Sequence, residues 1–155
     1  MSLQFVTGDM FADLEDGTAI AHGCNCQGVM GAGVADIVAS KWPHMVDEYR
    51  KLCRAKLLHP GDVFPYVTPE GVIVFNLMSQ NFPGRDARLE WILWSVDEAL
   101  HIAERADIKT LRICRIGSGI GGLRATDVEE QLQWVTRDHF ITDLVVYSLP
   151  EKVAS

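Results

Sequence analysis

Two clusters of glycine in this 155-residue chain stand where backbone could grip an anion. The first is Gly28-Val29-Met30-Gly31-Ala32-Gly33-Val34-Ala35, and the second is Ile116-Gly117-Ser118-Gly119-Ile120-Gly121-Gly122. Glycine accepts positive φ and lets a ligand approach the main chain with no Cβ in the way. A strand, a glycine loop and a helix in succession aim N–H donors and the positive end of a helix dipole at an anion. Two such units opening at the carboxyl ends of strands could hold a diphosphate from both sides. A dinucleotide-binding Rossmann domain would carry its glycines in the first strand–helix turn. Here the first strand leads into Gly8-Asp9-Met10 and the clusters come later, so that reading fails.

Other residues near the first cluster could do chemistry. His22 precedes it in the run His22-Gly23-Cys24-Asn25-Cys26. A histidine there suits general acid–base work or attack on phosphorus, and its plainer role is a strand-end residue satisfied by backbone. Zinc is a sharper alternative for His22, Cys24 and Cys26. The usual structural spacing needs a second ligand pair elsewhere, and the remaining cysteines, Cys53 and Cys114, do not form one. No metal and no other cofactor is therefore expected. His44, His59, His101 and His139 fall on helices or connections and read as surface residues.

The elements that position these groups are legible from periodicity. Leu3 to Thr7, Thr18 to His22, Asp62 to Val67, Val72 to Leu77, Leu111 to Ile116 and Leu144 to Leu149 read as strands. Helices are expected over Gly33 to Lys41, from Pro43 to about Arg54, over Asp86 to Arg105, and over about Asp127 to Arg137. Pro43 stops the first of these and suits the first turn of the next. Pro69-Glu70-Gly71 is a turn between two adjacent strands. Strands alternating with helices mean a layered α/β domain, and the hairpin makes its sheet mixed. One domain over residues 1–150 and a tail over 151–155 are expected.

Composition bounds the partners. Lys and Arg number 14 against 21 Asp and Glu, a formal charge of −7. That balance disfavours a broad nucleic-acid footprint, yet it leaves room for one small anion bound by backbone N–H groups. No apolar run approaches the length of a membrane span and no secretory pattern opens the chain, so a reducing cytoplasm is the expected setting, with a monomer.

Three stretches resemble the macro domain, the ADP-ribose-binding module. Val6-Thr7-Gly8-Asp9-Met10 is similar to the family's first-strand element. Ile20 to Gly28, followed by Met30-Gly31-Ala32-Gly33-Val34-Ala35, is similar to its asparagine strand and first phosphate loop. Ile116 to Gly122 is similar to its second loop. The His-x-Cys-Asn-Cys-x-Gly run and the Ser-Gly-Ile-x-Gly loop most resemble the yeast-type and phage-type ADP-ribose-1″-phosphate phosphatases. The resemblance implies a three-layer α/β/α fold with a mixed central sheet, and removal of the 1″-phosphate from ADP-ribose-1″-phosphate. It leaves two alternatives: hydrolysis of ADP-ribose from protein or nucleic acid, and non-enzymatic ADP-ribose reading.

Position by position, the resemblance implies that Asp9 and the Met10 backbone meet adenine, although Asp9 also suits a turn or helix cap. Gly31, Ala32, Gly33 and Val34 would bind the diphosphate through backbone, as would Ser118, Gly119, Ile120 and Gly121. Asn25 would sit beside the distal ribose, its competing role being an Asx turn. Ser148 and Leu149 would border the adenine face, and Tyr147 is either there or in the core. His22 and Asn25 are the expected catalytic pair. Asp36 reads as a first-turn acid, and Thr126 with Glu129 has capping-box spacing. Arg85 could counter a terminal phosphate, whereas Arg88 reads as a solvated helix residue. Some hydrolases of this fold use a lysine after the middle strands and an aspartate in the second loop. This chain has no lysine between Lys56 and Lys109, and Gly121 and Gly122 stand in that loop, which disfavours a lysine-adduct route.

Overall fold

Burial on both faces makes the central strands. In the computed structural model, which describes residues 3–31, 33–115 and 122–148, β2 (Ala19–Cys24) and β4 (Ile73–Met78) are almost wholly buried. Their side chains alternate between two apolar layers. Ala19, Ala21, Phe75 and Leu77 face one cluster, and Ile20, Cys24, Val74 and Met78 face the other. Near-continuous apolar runs of this kind belong to parallel strands covered by helices on both sides.

The remaining strands are β1 (Leu3–Thr7), β3 (Val63–Val67), β5 (Thr110–Cys114) and β6 (Asp143–Ser148). They form one six-stranded sheet in the order β1-β6-β5-β2-β4-β3. Every pair is parallel except β3 with β4, the hairpin expected from Pro69-Glu70-Gly71. Pro65, which cannot donate to a ladder, lies on β3, an edge strand where that loss is tolerated.

Two helices cover each face. On one side α1 (Gly33–Lys41) and α2 (Pro43–Arg54) bury Val38, Met45, Val46 and Tyr49. On the other, α3 (Leu89–Arg105) buries Ile92, Ser95, Val96, Ala99, Leu100 and Ala103, a three-and-four spacing that makes one stripe. Beside it α4 (Ala125–Thr136) buries Val128 and Leu132. The layers are therefore α/β/α around a mixed sheet, as the sequence implied.

Boundaries differ where side chains compete with backbone. α3 begins at Leu89, three residues later than expected, because Asp86 turns back to accept the N–H groups of Asn81 and Phe82 at 2.9 and 2.8 Å. The capping box at Thr126 is not used: α4 starts two residues earlier, at Ala125, capped at Arg124 with no side-chain hydrogen bond. Asp127 instead accepts from Arg124 Nε at 3.1 Å. Among the described residues no helix is long and apolar enough to cross a membrane.

Candidate functional site

Five parallel strands end along one edge of the sheet, and their exits diverge between β2 and β5. β2 feeds α1 on one face, while β5 precedes α4 on the other. A crevice opens at such a divergence, outside the carboxyl ends of the strands. The first glycine loop flanks it from the β2 side, and Gly122 marks where the chain returns from the second.

The first loop is built around Asn25, which is buried. Its Oδ1 accepts from the Gln27 N–H at 2.9 Å and from the Tyr49 hydroxyl at 3.2 Å, while its Nδ2 donates to the Val29 carbonyl at 2.9 Å. Tyr49 Oη also donates to the Asn25 carbonyl at 2.5 Å. This is the Asx turn weighed above, anchored from α2, and it engages the Asn25 amide within the loop. Asn25 acts as a positioning residue that folds the loop. Tyr49 was missed; its place with Met45 and Val46 on the buried stripe of α2 was the available signal.

Beyond the turn, Gly31 and Gly33 are exposed, and nothing lies within 4 Å of where a Cβ would stand on either. Gly33 has φ +61°, which strains any side-chain-bearing residue, and it opens α1. Gly33 and Val34 are the first residues of α1, where N–H groups have no acceptor one turn earlier within the helix. Asp36 is exposed in that first turn. Ala32, Ser118, Gly119, Ile120, Gly121 and Leu149 lie outside the described residues.

The loop after β4 braces the first loop from below. Cys26 N–H donates to the Asn81 carbonyl at 3.1 Å, and Gln27 Nε2 reaches the same oxygen at 3.1 Å. Gln80 Nε2 donates to the Phe82 and Gly84 carbonyls at 2.6 and 3.1 Å. This scaffold carries Arg85 to the exit of the second loop. A Cβ on Gly122 would meet Arg85 Cβ at 3.2 Å, and Gly122 has φ +87°, so the arginine stem packs on backbone that only glycine presents comfortably. Arg88 points elsewhere, its guanidinium 5.0 Å from the centre of the Trp91 ring.

At the far end of the edge, β1 and β6 pair with Thr7 opposite Ser148, and Gly8 N–H donates to the Ser148 carbonyl at 2.8 Å. Asp9, Met10 and Ser148 are thus brought together. Asp9 is exposed, and its Oδ1 accepts from the Phe11 N–H at 2.9 Å. The Met10 side chain is buried in the α1–α2 layer, and its carbonyl accepts from Arg112 Nη1 at 3.2 Å. The Arg112 guanidinium also bonds the Ala12 carbonyl and stands 5.9 Å from the centre of the Tyr147 ring, so Tyr147 packs as a half-buried support.

His22 requires a correction. β2 runs on to Cys24, so His22 lies inside the strand rather than at its end, fully buried. It pairs in register with Asn76 on β4, and His22 Nε2 is 2.6 Å from Asn76 Oδ1. Because Asn76 Nδ2 donates to the Phe64 carbonyl at 3.0 Å, its Oδ1 is the acceptor and His22 Nε2 carries the proton. Burial drives the His22 pKa down to about 4, outweighing the bond to Asn76. A neutral imidazole sealed from solvent has no path to a reacting phosphorus, so His22 braces β2 against β4. Cys24 Sγ lies 3.5 Å from its ring, while Cys26 lies beyond the strand and points to the Gln80 carbonyl. Burial raises both thiols, Cys26 to about 12.

The Macro domain family model matches residues 21–132, a span containing both glycine clusters. The chain belongs to the macro domain family. An uncharacterized 17.5 kDa protein from the tk-vs intergenic region of Enterobacteria phage T4 is 30% identical over 126 residues, covering 78% of this chain and 81% of that protein. A protein of Mycobacterium tuberculosis named DNA ADP-ribosyl glycohydrolase is 27% identical over 156 residues, or 94% of this macro domain but 42% of its own length. The match to an ADP-ribose 1″-phosphate phosphatase of Aspergillus clavatus is closer but local: 45% over 47 residues, 30% of this chain and 23% of the relative. Among solved structures, the macrodomain of Mycobacterium tuberculosis DarG superposes with a TM-score of 0.83 at 24% identity, over 96% of this chain and 98% of that one. Thermosipho africanus DarTG in complex with ADP-ribose gives 0.80 at 19%, over 97% of this chain and 43% of that one. At those identities the likeness establishes the fold.

Proposed function

We propose that this macro domain binds ADP-ribose along the crevice and hydrolyses ADP-ribose-1″-phosphate to ADP-ribose and inorganic phosphate. Backbone N–H groups of Gly31, Gly33 and Val34 hold the diphosphate from one side, with Ala32, and the run Ser118 to Gly121 holds it from the other. Asp9 accepts from the adenine amino group, and Met10, Ser148 and Leu149 border the base. Oriented amides supply the positive field, which is why a net charge of −7 is no obstacle. The bound nucleotide is released as ADP-ribose when a water oxygen adds to phosphorus, the ester P–O bond breaks, and the anomeric oxygen takes a proton.

Arg85 carries the choice of reaction. Its stem packs on Gly122, at the exit of the second loop, and no lysine occurs between Lys56 and Lys109 to form an adduct with the ribose. A guanidinium there suits a terminal phosphomonoester, which it meets with paired N–H donors. One observation favours a second reading, removal of ADP-ribose from DNA. The mycobacterial glycohydrolase matches 94% of this chain, against 30% for the fungal phosphatase.

Supplying ADP-ribose-1″-phosphate, ADP-ribosylated DNA and ADP-ribosylated protein side by side separates these. The expected result is phosphate release from the first, lowered at least about tenfold in Arg85→Gln, the worth of one charge-assisted hydrogen bond of about 1.5–3 kcal/mol. ADP-ribose released from DNA with no phosphate released from the first substrate would put the second reading in its place.

A further inference from the structure

At the opposite end of the sheet, where the strands begin, a second group of side chains has no part in the crevice. His139 lies in the turn between α4 and β6 and, against the surface position expected from sequence, is buried at 1% exposure. α3 takes both its ring nitrogens: Glu104 Oε1 bonds Nδ1, and Asp97 Oδ1 lies 2.7 Å from Nε2. One helical turn from Asp97, His101 sets its Nε2 3.5 Å from the other carboxylate oxygen. The rings of His101 and His139 meet edge to face, centroids 4.6 Å apart.

We propose that Asp97, His101 and His139 form a site for one divalent transition-metal ion of the zinc class. One ligating atom from each residue lies within 4.8 Å of the other two. An ion held at about 2.0–2.2 Å by each ligand spaces tetrahedral donors about 3.4 Å apart, so a small adjustment closes the set around it. His101 makes that adjustment, since its side chain is 48% exposed and Asp97 beside it equally so. The same exposure gives the ion an entry path and leaves its remaining position to water. Two imidazoles and a carboxylate select zinc, copper or nickel over magnesium or calcium.

The surroundings are arranged as a metal site requires. Glu104 holds His139 by Nδ1, which fixes the ring and leaves Nε2 for the ion, the carboxylate–histidine–metal relay found behind many ligating imidazoles. Glu104 Oε2 also accepts from the N–H groups of Phe140 and Ile141 at 3.3 and 3.2 Å, so the loop carrying His139 is held before any ion arrives. On binding, the ion takes the Nε2 lone pair and the Nε2 proton passes to solvent. Two carboxylates with two neutral imidazoles then carry −2, which a dication cancels. The ion would tie α3 to the α4–β6 turn and stabilise the fold.

Calorimetric titration of Zn²⁺ into the full chain, with Cys53→Ser as background to remove a partly exposed thiol, tests the site. One ion per chain is expected, with a melting temperature that rises with Zn²⁺ and not with Mg²⁺. Binding should weaken at least about tenfold in His101→Ala and in Glu104→Gln, the range for lost ligand support. His101 is half exposed, so its variant should melt as the parent does without metal; Co²⁺ absorption bands present in the parent and absent in His101→Ala give a second readout. Equal Zn²⁺ affinity in the parent and His101→Ala, or no binding by the parent, would leave the cluster an ion-pair network and overturn the proposal.

Discussion

Two histidines are buried in this macro domain, and their partners give them opposite charge preferences. His22 is sealed between β2 and β4 with an amide as partner, and burial leaves it neutral with a pKa near 4. His139 is equally inaccessible, and burial pushes it down as well, but hydrogen bonds to Glu104 and Asp97 outweigh that and leave its pKa raised. Depth alone therefore does not decide the charge of a buried histidine; the partner set does. The same contrast separates the two ends of the sheet. At the first glycine loop, the neutral side chains of Asn25, Gln27 and Tyr49 hold the backbone in place, whereas the base holds a compact ionic cluster.

Several substitutions would break this contrast, beginning with the most damaging. Asn76→Ala should cost about 4 kcal/mol, since it opens a buried cavity and removes the Oδ1 acceptor of His22 Nε2–H and the side-chain donor to the Phe64 carbonyl. Urea unfolding measures it, and a loss under about 1 kcal/mol would mean the pair is not what holds β2 to β4.

Acid should reveal His22 next. Its folded pKa of about 4 lies below the ordinary 6.5, so between those values the unfolded chain binds the extra proton. The stability due to keeping His22 neutral is full above pH 6.5 and is lost as pH falls toward 4. The loss reaches about 3 kcal/mol at about 1.4 kcal/mol per unit. His22→Gln, which keeps a donor for Asn76, should flatten that slope relative to the parent. Matching slopes would show that His22 is not the group titrating.

Smaller effects belong to the base and the rim. Glu104→Gln should lower unfolding free energy by about 2 kcal/mol, because His139 loses a charged partner in a protected site. ADP-ribose affinity should not change with it, since the cluster and the crevice lie at opposite ends of the strands. Arg88→Ala removes only an exposed guanidinium–indole contact and should cost about 0.5 kcal/mol. A larger loss there would mean the loop after β4 depends on it.

The layered fold was legible because its signals are local. Pro43, the Pro69-Glu70-Gly71 turn and the apolar runs of β2 and β4 placed each element within a few residues. The glycine cluster before α1 was legible for the same reason, since a strand, a loop and a helix follow one another in the chain. The partners of single side chains were not. His22 meets Asn76 across 54 positions, and His139 meets Glu104 and Asp97 across 35 and 42. Only strand register and the return of the chain beneath β6 bring them together. Arg85 belongs to the same class: its contact with Gly122 depends on a loop braced by Gln80 and Asp86.

In the proposed function, oriented backbone at the first glycine loop holds the diphosphate of ADP-ribose. Calorimetric titration of ADP-ribose into the parent and into Gly33→Glu tests it most directly. Gly33 has φ +61° at the start of α1, so glutamate there strains the turn and sets a carboxylate where the diphosphate should lie. The expected result is binding by the parent and a loss of about 100-fold or more in the variant, equivalent to about 2.7 kcal/mol. Unchanged affinity in a folded Gly33→Glu protein would contradict it.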